Sequence, residues 1–413
     1  MLDSVKDQHL RDKLERLEPL QPILEALNSR LGGVHLVGGA VRDLLLGREP
    51  NEVDLVVVGD AIDLARQYAE LLPGSHIEVH QQFGTATVRN ADAVVDFATA
   101  RVEQYESPGA LPVVRPATLA EDLRRRDFTV NSMAISLEEE SRGLLTDPFN
   151  GIDDLAERLL RVLHRQSFVD DPTRLWRLAR YAGRYQFQIE ALTAQLASDA
   201  VANGALAGIA AERSGNEILR LLEEAEPLAA IDQAVKLGLP KTFGVVAPAT
   251  GLAERALERF AGLIDPETTV AIAFWADADG ASSSALSLGM GARFAALAAQ
   301  GERISEITRQ LEAAVGGYEI AELVSKSSPE AVAIAGVNGA EANAARWFDE
   351  LQGLTNPVDG DQLLAAGIKA GPAIAVGLEE ARRSVLNGEQ LERAELLKLA
   401  VDAASDYQGK SLQ

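Results

Sequence analysis

The spacing of apolar positions changes part-way along this chain, and the change divides it. Residues 34–38 read as a buried strand ending at a glycine turn, and residues 40–47 as a short helix closed by Gly47. Pro50 and Asn51 predict a turn, and Val53 to Val58 a strand rich in β-branched residues. Residues 59–72 place Ile62, Leu64, Ala65, Tyr68, Leu71 and Leu72 at helical spacing. Further short strands are expected over 85–88, 93–98 and 129–136, and an amphipathic helix within residues 1–30. Strands and helices mixed over 31–140 predict one α/β or α+β domain. From Gly151 onward the pattern is helical, over 153–163, 169–187, 206–225 and 226–237. A stretch rich in Gly, Pro and Thr at 238–251 marks a boundary, and 276–291 and 353–372 are further turn-rich breaks. The expectation is an α+β chain in three parts: 1–140 with a small mixed sheet and helices, then all-helical parts over 141–237 and 238–413.

Composition narrows the class. A chain of 413 residues, 47% hydrophobic and 24% charged, is that of a multi-domain globular protein with no run long enough to span a bilayer. No secretory start is evident, so a cytoplasmic location is the default expectation. There is no cysteine, which excludes disulfides and cysteine metal sites. The net charge of −23 argues against a generally adhesive nucleic-acid binder. It leaves room for a local basic groove, because phosphate contacts depend on local charge. Arg124, Arg125 and Arg126 are consecutive, and seven more arginines follow between Arg158 and Arg184. These could equally pair with the acids nearby.

Two segments carry the chemistry. Gly38-Gly39 leaves a strand and enters a helix, so backbone N–H groups could approach phosphates there, with Arg42 adding charge-assisted contacts. Glu52 and Asp54 lie two apart at a strand, so they are expected on one face. Two carboxylates on one face repel unless a cation sits between them, and oxygen ligands of this kind suit Mg²⁺. Asp96, the one polar residue in an apolar strand, is the natural third carboxylate. Two such ions could activate a 3′-hydroxyl and stabilise a pyrophosphate leaving group. Taken singly, each piece has an ordinary reading: a plain turn, a solvated strand edge, a helix-terminal acid. Together they favour nucleotidyl transfer.

The segment Leu36-Val37-Gly38-Gly39-Ala40-Val41-Arg42-Asp43-Leu44-Leu45-Leu46-Gly47 with its acidic pair resembles the signature of class II tRNA nucleotidyltransferases. These group with bacterial poly(A) polymerases in the DNA polymerase β-like nucleotidyltransferase superfamily. Four later segments agree in order. Arg125-Arg126-Asp127-Phe128-Thr129-Val130-Asn131 resembles the ribose-recognising motif, and Asp147 to Gly151 with Asp154-Leu155 the hinge motif. Asp170 to Arg180 resembles the nucleotide-selecting motif, and Glu212-Arg213 with Asn216-Glu217 the motif that supports it. The resemblance covers residues 31–225. It implies a nucleotidyltransferase head over 1–140, a helical neck that selects the nucleotide, and a body and tail that bind tRNA. The implied reaction is template-independent addition of C and A to the tRNA 3′ end from CTP and ATP, with Mg²⁺ held by Glu52 and Asp54 and catalysis by Glu52, Asp54 and Asp96. One departure stands out: the family's acidic pair is normally Asp-x-Asp, and here it is Glu52-x-Asp54.

Cytosine and adenine both present an amino donor beside a ring-nitrogen acceptor, whereas uracil and guanine present the reverse. A carboxylate beside a guanidinium fits the first pair alone, and a mismatch would leave buried polar groups unpaired at roughly 1–3 kcal/mol each. Asp171 and Arg174 are three apart on a predicted helix and so expected on one face; by resemblance they are the selecting pair. By the same resemblance Arg177 and Arg180 contact the nucleotide, while Arg126, Asp127 and Asn131 hold its sugar and triphosphate. Residues 101–116 read as a mobile loop, whose counterpart in the family goes with addition of the terminal A. Only five histidines occur, at positions 9, 35, 76, 80 and 164, so no HD phosphohydrolase domain is expected. Poly(A) polymerase, an A-adding enzyme and a non-catalytic tRNA-binding relative stay as alternatives.

Overall fold

β-Branched residues gather where the first half of the chain builds its sheet. The structure, a computed structural model, describes residues 2–27, 32–50, 52–90, 93–106, 109–110, 112–245 and 248–411. It divides into two compact units, Met1–Leu239 and Pro240–Gln413.

In the first unit, helices α1 (Leu2–Leu14) and α2 (Gln21–Ala26) precede β1 (Val34–Val37), α3 (Gly39–Leu45), β2 (Val53–Val57) and α4 (Ala61–Leu71). Then come β3 (His76–His80), β4 (Thr85–Arg89), β5 (Val94–Thr99), β6 (Arg101–Gln104), β7 (Val113–Pro116), α5 (Leu119–Arg124), β8 (Ala134–Ser136) and β9 (Leu145–Thr146). Seven strands form one sheet in the order β3-β4-β5-β2-β1-β8-β9. Only β2 and β5 pair in parallel; the other neighbours are antiparallel.

Alternation along the central strands decides what each face does. Leu55, Phe97 and Ala86 are buried, and Phe97 packs 5.4 Å from the ring of Tyr68 on α4. Asp60 caps α4 by accepting from the backbone N–H groups of Ile62 and Asp63, each at 3.0 Å. Asp54, Asp96 and Thr87, in register across β2, β5 and β4, face the opposite way. Two residues on, Val56 joins a buried cluster with Val37, Ala100, Ala134 and Leu123 of α5. That side of the sheet is therefore covered at Val56 and polar at Asp54.

The rest of the unit comprises α6 (Gly151–Ala156), β10 (Leu159–Leu160), α7 (Ser167–Asp170), α8 (Arg174–Tyr185), β11 (Gln188–Ile189), α9 (Ala191–Ala202), α10 (Ala211–Leu222) and α11 (Pro227–Lys236). Gly183 lets α8 press against α11: a Cβ there would lie 2.5 Å from the Ala230 backbone.

Several sequence expectations change. The part over 141–237 is not all helix. The helix predicted over 153–163 stops at Ala156, Arg158 takes a left-handed conformation (φ 56°), and Leu159–Leu160 pairs in parallel with Gln188–Ile189. The helix predicted over 169–187 is two helices. Pro172 disfavours helical geometry at the residue before it, and Asp171 is extended (φ −135°, ψ 93°). The strand predicted over 129–136 begins as a 3₁₀ turn at Thr129–Asn131. Residues 101–116, expected as a loop, form a β6–β7 hairpin at their base, with Arg101 opposite Pro116 and Gln104 opposite Val113. Ser107, Pro108 and Leu111 of that segment lie outside the described residues, as does Asn51 of the predicted turn.

Among its described residues the second unit is helical. Phe260 packs 4.8 Å from Phe348 and Phe274 5.3 Å from Trp275, centroid to centroid. Its last two helices, Pro372–Leu386 and Arg393–Ser411, meet closely where Gly377 faces the backbone of Ala400.

Candidate active site

A cleft of about 650 Å³ opens in the first unit beside the glycine turn. Gly38 shapes it. Its φ of +68° is one that residues with a Cβ rarely adopt, and a Cβ there would lie 3.1 Å from Arg126 Nη1 and 3.5 Å from Asp54 Oδ2. The positive φ favours glycine here, and the absence of a Cβ leaves Arg126 and the Asp54 carboxylate room to sit close against the turn. Gly39 opens α3, whose N-terminus carries no side-chain cap.

The sheet side of the cleft bears carboxylates. Asp54 sits in register beside Asp96, whose carboxylate accepts a short hydrogen bond from Thr87 Oγ1. Glu52 is exposed in a bend one residue before β2, so it does not lie on the strand as predicted; it still lines the cleft with Asp54. Burial pushes the Asp54 carboxyl up to about 6; Arg126 opposes this, and Asp96 and Glu52 add to it. An ionised Asp54 is thus short of positive charge, the condition a divalent cation would relieve. Among the described residues no three His, Cys, Asp or Glu side chains are already gathered as a closed metal cluster. Two carboxylates at an open cleft fit an ion that keeps waters and takes further oxygens from a phosphate.

The helical side is built from arginines with assigned partners. Asp127, buried, accepts from Arg177 Nε at 2.9 Å, from Asn131 Nδ2 at 3.0 Å and from the Phe128 backbone N–H at 2.8 Å. Burial works against its ionisation, but Arg177 and Asn131 hold it down to about 2. Arg126 donates to Asp122 at 3.0 Å. Asp171 and Arg174 both line the cleft, though not as neighbours on one helix: Asp171 precedes α8 and Arg174 opens it. Oδ1 of Asp171 accepts from Thr173 Oγ1 at 2.6 Å and from Arg213 Nη2 at 2.8 Å. Arg174 donates to Ser167 Oγ at 2.7 Å and to the Arg125 carbonyl at 2.6 Å. Arg180 is buried beside Glu217 and Glu224, at 3.4 and 3.5 Å.

Gly38, Gly39, Arg42, Glu52, Asp54, Arg126, Asp127, Asn131, Asp171, Arg174, Arg177 and Arg180 all line this cleft; Asp96 stands beside Asp54 outside the lining. Sequence reasoning missed Glu103, which accepts from Arg125 at 2.7 Å and from the Tyr105 hydroxyl at 2.8 Å, tying the hairpin to the segment that follows α5. It also missed Asp122 as the partner of Arg125 and Arg126. A signal existed for Asp122: it lies three and four residues before those arginines at the end of a helix. For Glu103, in a segment read as a loop, there was none.

Comparison with known proteins agrees with this geometry. The family described as the Poly A polymerase head domain matches residues 34–161. An A-adding tRNA nucleotidyltransferase from Halalkalibacterium halodurans is 39% identical over 236 residues, 56% of this chain and 54% of the relative. The chain thus spans about half the length of that curated relative. A solved CCA-adding enzyme, apo form II, superposes with a TM-score of 0.77 at 31% identity, covering 94% of this chain and 97% of that one. The Thermotoga maritima CCA-adding enzyme complexed with tRNA gives a TM-score of 0.77 at 29% identity, covering 96% and 98%.

Proposed function

The chain belongs to the family of tRNA nucleotidyltransferases and poly(A) polymerases, and on that premise we propose that it adds C and A to tRNA 3′ ends without a nucleic-acid template, from CTP and ATP. The observation that carries this reading is a single cleft lined by the Gly38-Gly39 turn, the Glu52/Asp54 carboxylates and the Asp171/Arg174 pair.

In this reading residues 1–140 are the catalytic head, 141–237 the neck and 238–413 the tRNA-binding body and tail. The triphosphate lies against the Gly38-Gly39 turn with Arg126 and Arg177 supplying positive charge. Asn131 and Asp127 orient the ribose. Arg213 and Thr173 engage one oxygen of Asp171, and the other accepts from the exocyclic amino group of cytosine or adenine while Arg174 donates to the adjacent ring nitrogen. Uracil and guanine would set a carbonyl acceptor against the Asp171 carboxylate and a ring N–H donor against Arg174. The tRNA 3′-hydroxyl attacks the α-phosphate and pyrophosphate leaves. Family members use divalent metals. We assign Mg²⁺ to Glu52 and Asp54, with Asp96 supporting Asp54; when bound it lowers the charge cost of the attacking and leaving oxygens. The tRNA is held by shape and backbone. No helix of the described residues is long and apolar enough to cross a membrane, and we place the enzyme in the cytoplasm.

A second reading, addition of the terminal A alone to CC-ended tRNA, is favoured by the likeness to the A-adding Halalkalibacterium enzyme. An extension assay with Mg²⁺, tRNA lacking CCA, tRNA ending in CC, and each nucleotide labelled in turn tests both. Incorporation of C and A that stops at CCA supports the first; ATP addition to CC-ended tRNA alone supports the second. Runs of A on any RNA, or no incorporation, would overturn both.

A further inference from the structure

Arg42 is only 3% exposed, yet it carries a full charge and five N–H donors. Its Nε and Nη2 donate to Asp43 Oδ1 and Oδ2 at 3.0 and 3.1 Å. Its Nη1 donates to Asn131 Oδ1 at 2.6 Å. The Tyr185 ring stacks on the guanidinium at 4.4 Å, and the Tyr185 hydroxyl donates to Asp43 Oδ1 at 3.2 Å. One tyrosine, from a helix 142 positions away in sequence, therefore contacts both Arg42 and its counter-ion.

The consequence falls on Asn131. An asparagine amide has a donor end and an acceptor end, and nothing intrinsic decides which way it points. Arg42 has only donors, so it demands the oxygen of Asn131. That sends Nδ2 toward Asp127 Oδ1, where it donates at 3.0 Å. We infer that Tyr185 and Asp43 are positioning residues: they hold Arg42 where it locks the Asn131 amide in the one orientation that reads the ribose of the incoming nucleotide. This rests on the assignment of Asp127 and Asn131 to the sugar.

The test is the ratio of kcat/KM for ATP over dATP on CC-ended tRNA, measured with Mg²⁺ and with melting temperature recorded for each variant. A destabilised but correctly formed site would slow both nucleotides alike and leave the ratio in place. Tyr185→Leu removes the stacked ring, and Asp43→Asn removes the charge that grips Arg42. Each is expected to lower the ratio about tenfold, mostly through loss on ATP. Tyr185→Phe keeps the ring and is expected to keep the ratio within about twofold. Should Tyr185→Leu fail to fold, Asp43→Asn carries the test. Asn131→Ala is the control. If it collapses the ratio while the folded Tyr185 and Asp43 variants retain it, the positioning role is overturned and the ribose assignment stands. If Asn131→Ala also leaves the ratio unchanged, the ribose assignment falls and this inference with it.

Discussion

Two carboxylates of one cleft have been driven in opposite directions. On the sheet side, burial and neighbouring acids push Asp54 up to about 6. On the helical side, Asp127 is held down to about 2, although burial works against it there too. The difference lies in partners. Asp127 has Arg177, Asn131 and a backbone N–H within hydrogen-bond range. Asp54 has Asp96 in register beside it, Glu52 two residues away, and Arg126 as its main opposing charge. One side is electrically finished by the fold. The other is left incomplete, as the cation and triphosphate proposed for it would require.

The largest effect expected from this contrast comes from Asp54→Asn. Turnover should fall about a thousandfold or more, while the metal-free protein should melt no lower than wild type because a half-buried charge only partly answered by Arg126 has gone. A large drop in melting temperature would show that Asp54 is part of the scaffold. The complementary change, Asp127→Asn, should do the reverse to stability. Breaking a buried, hydrogen-bonded ion pair costs about 3 kcal/mol, readable by denaturant unfolding. An unchanged midpoint would remove the distinction between the two sides.

pH separates them further, with opposite signs. The folded value of Asp54 is raised, so its contribution to stability is highest below about 4 and is lost as pH rises through about 6. The folded value of Asp127 is depressed, so its contribution is present above about 4 and is lost as pH falls through about 2. In the metal-free protein, Asp54→Asn should therefore raise the melting temperature at pH 8 relative to wild type and not at pH 4. The Asp127→Asn penalty should shrink from pH 6 toward pH 2. Added Mg²⁺ should stabilise wild type more at pH 8 than at pH 5, and equal shifts would count against metal binding at Asp54. The smallest effect is expected at the departure from the family pattern. Glu52 is exposed and precedes the strand, so its longer side chain can adjust. Glu52→Asp should change the Mg²⁺ concentration for half-maximal activity by less than about fivefold, measured by titration.

Local signals made much of this legible. The strand-to-glycine turn at Gly38, the β2 strand, and the polar Asp54 and Asp96 within apolar strands are short-range features, and the residue pattern carries them directly. Twelve of the thirteen expected site residues line one cleft. The failures are equally physical. Asp171 and Arg174 meet the same cleft, but Pro172 breaks the helix between α7 and α8, so they arrive there from either side of a helix break and not from one helix face as i, i+3 spacing predicts. The β6–β7 hairpin escaped notice because its turn-like residues sit in the middle while its base is held by cross-strand pairing. β3, His76–His80, alternates polar and apolar residues, but it is a short edge strand with only Ile77 and Val79 partly covered, so it carries too few apolar positions to stand out.

By itself the sequence determined the kinds of chemistry available here: where a backbone can turn without a Cβ, where carboxylates interrupt apolar strands, and where arginines recur at helical spacing. Those depend on residue type and near neighbours. Only the tertiary structure decided how each charge is answered. Arg42 faces Asn131 across 89 positions, Arg177 faces Asp127 across 50, and Tyr185 reaches Asp43 across 142. A carboxylate's ionisation is set by which groups the fold brings within a few ångströms and how much water it removes, and neither quantity is a property of the residues taken in chain order.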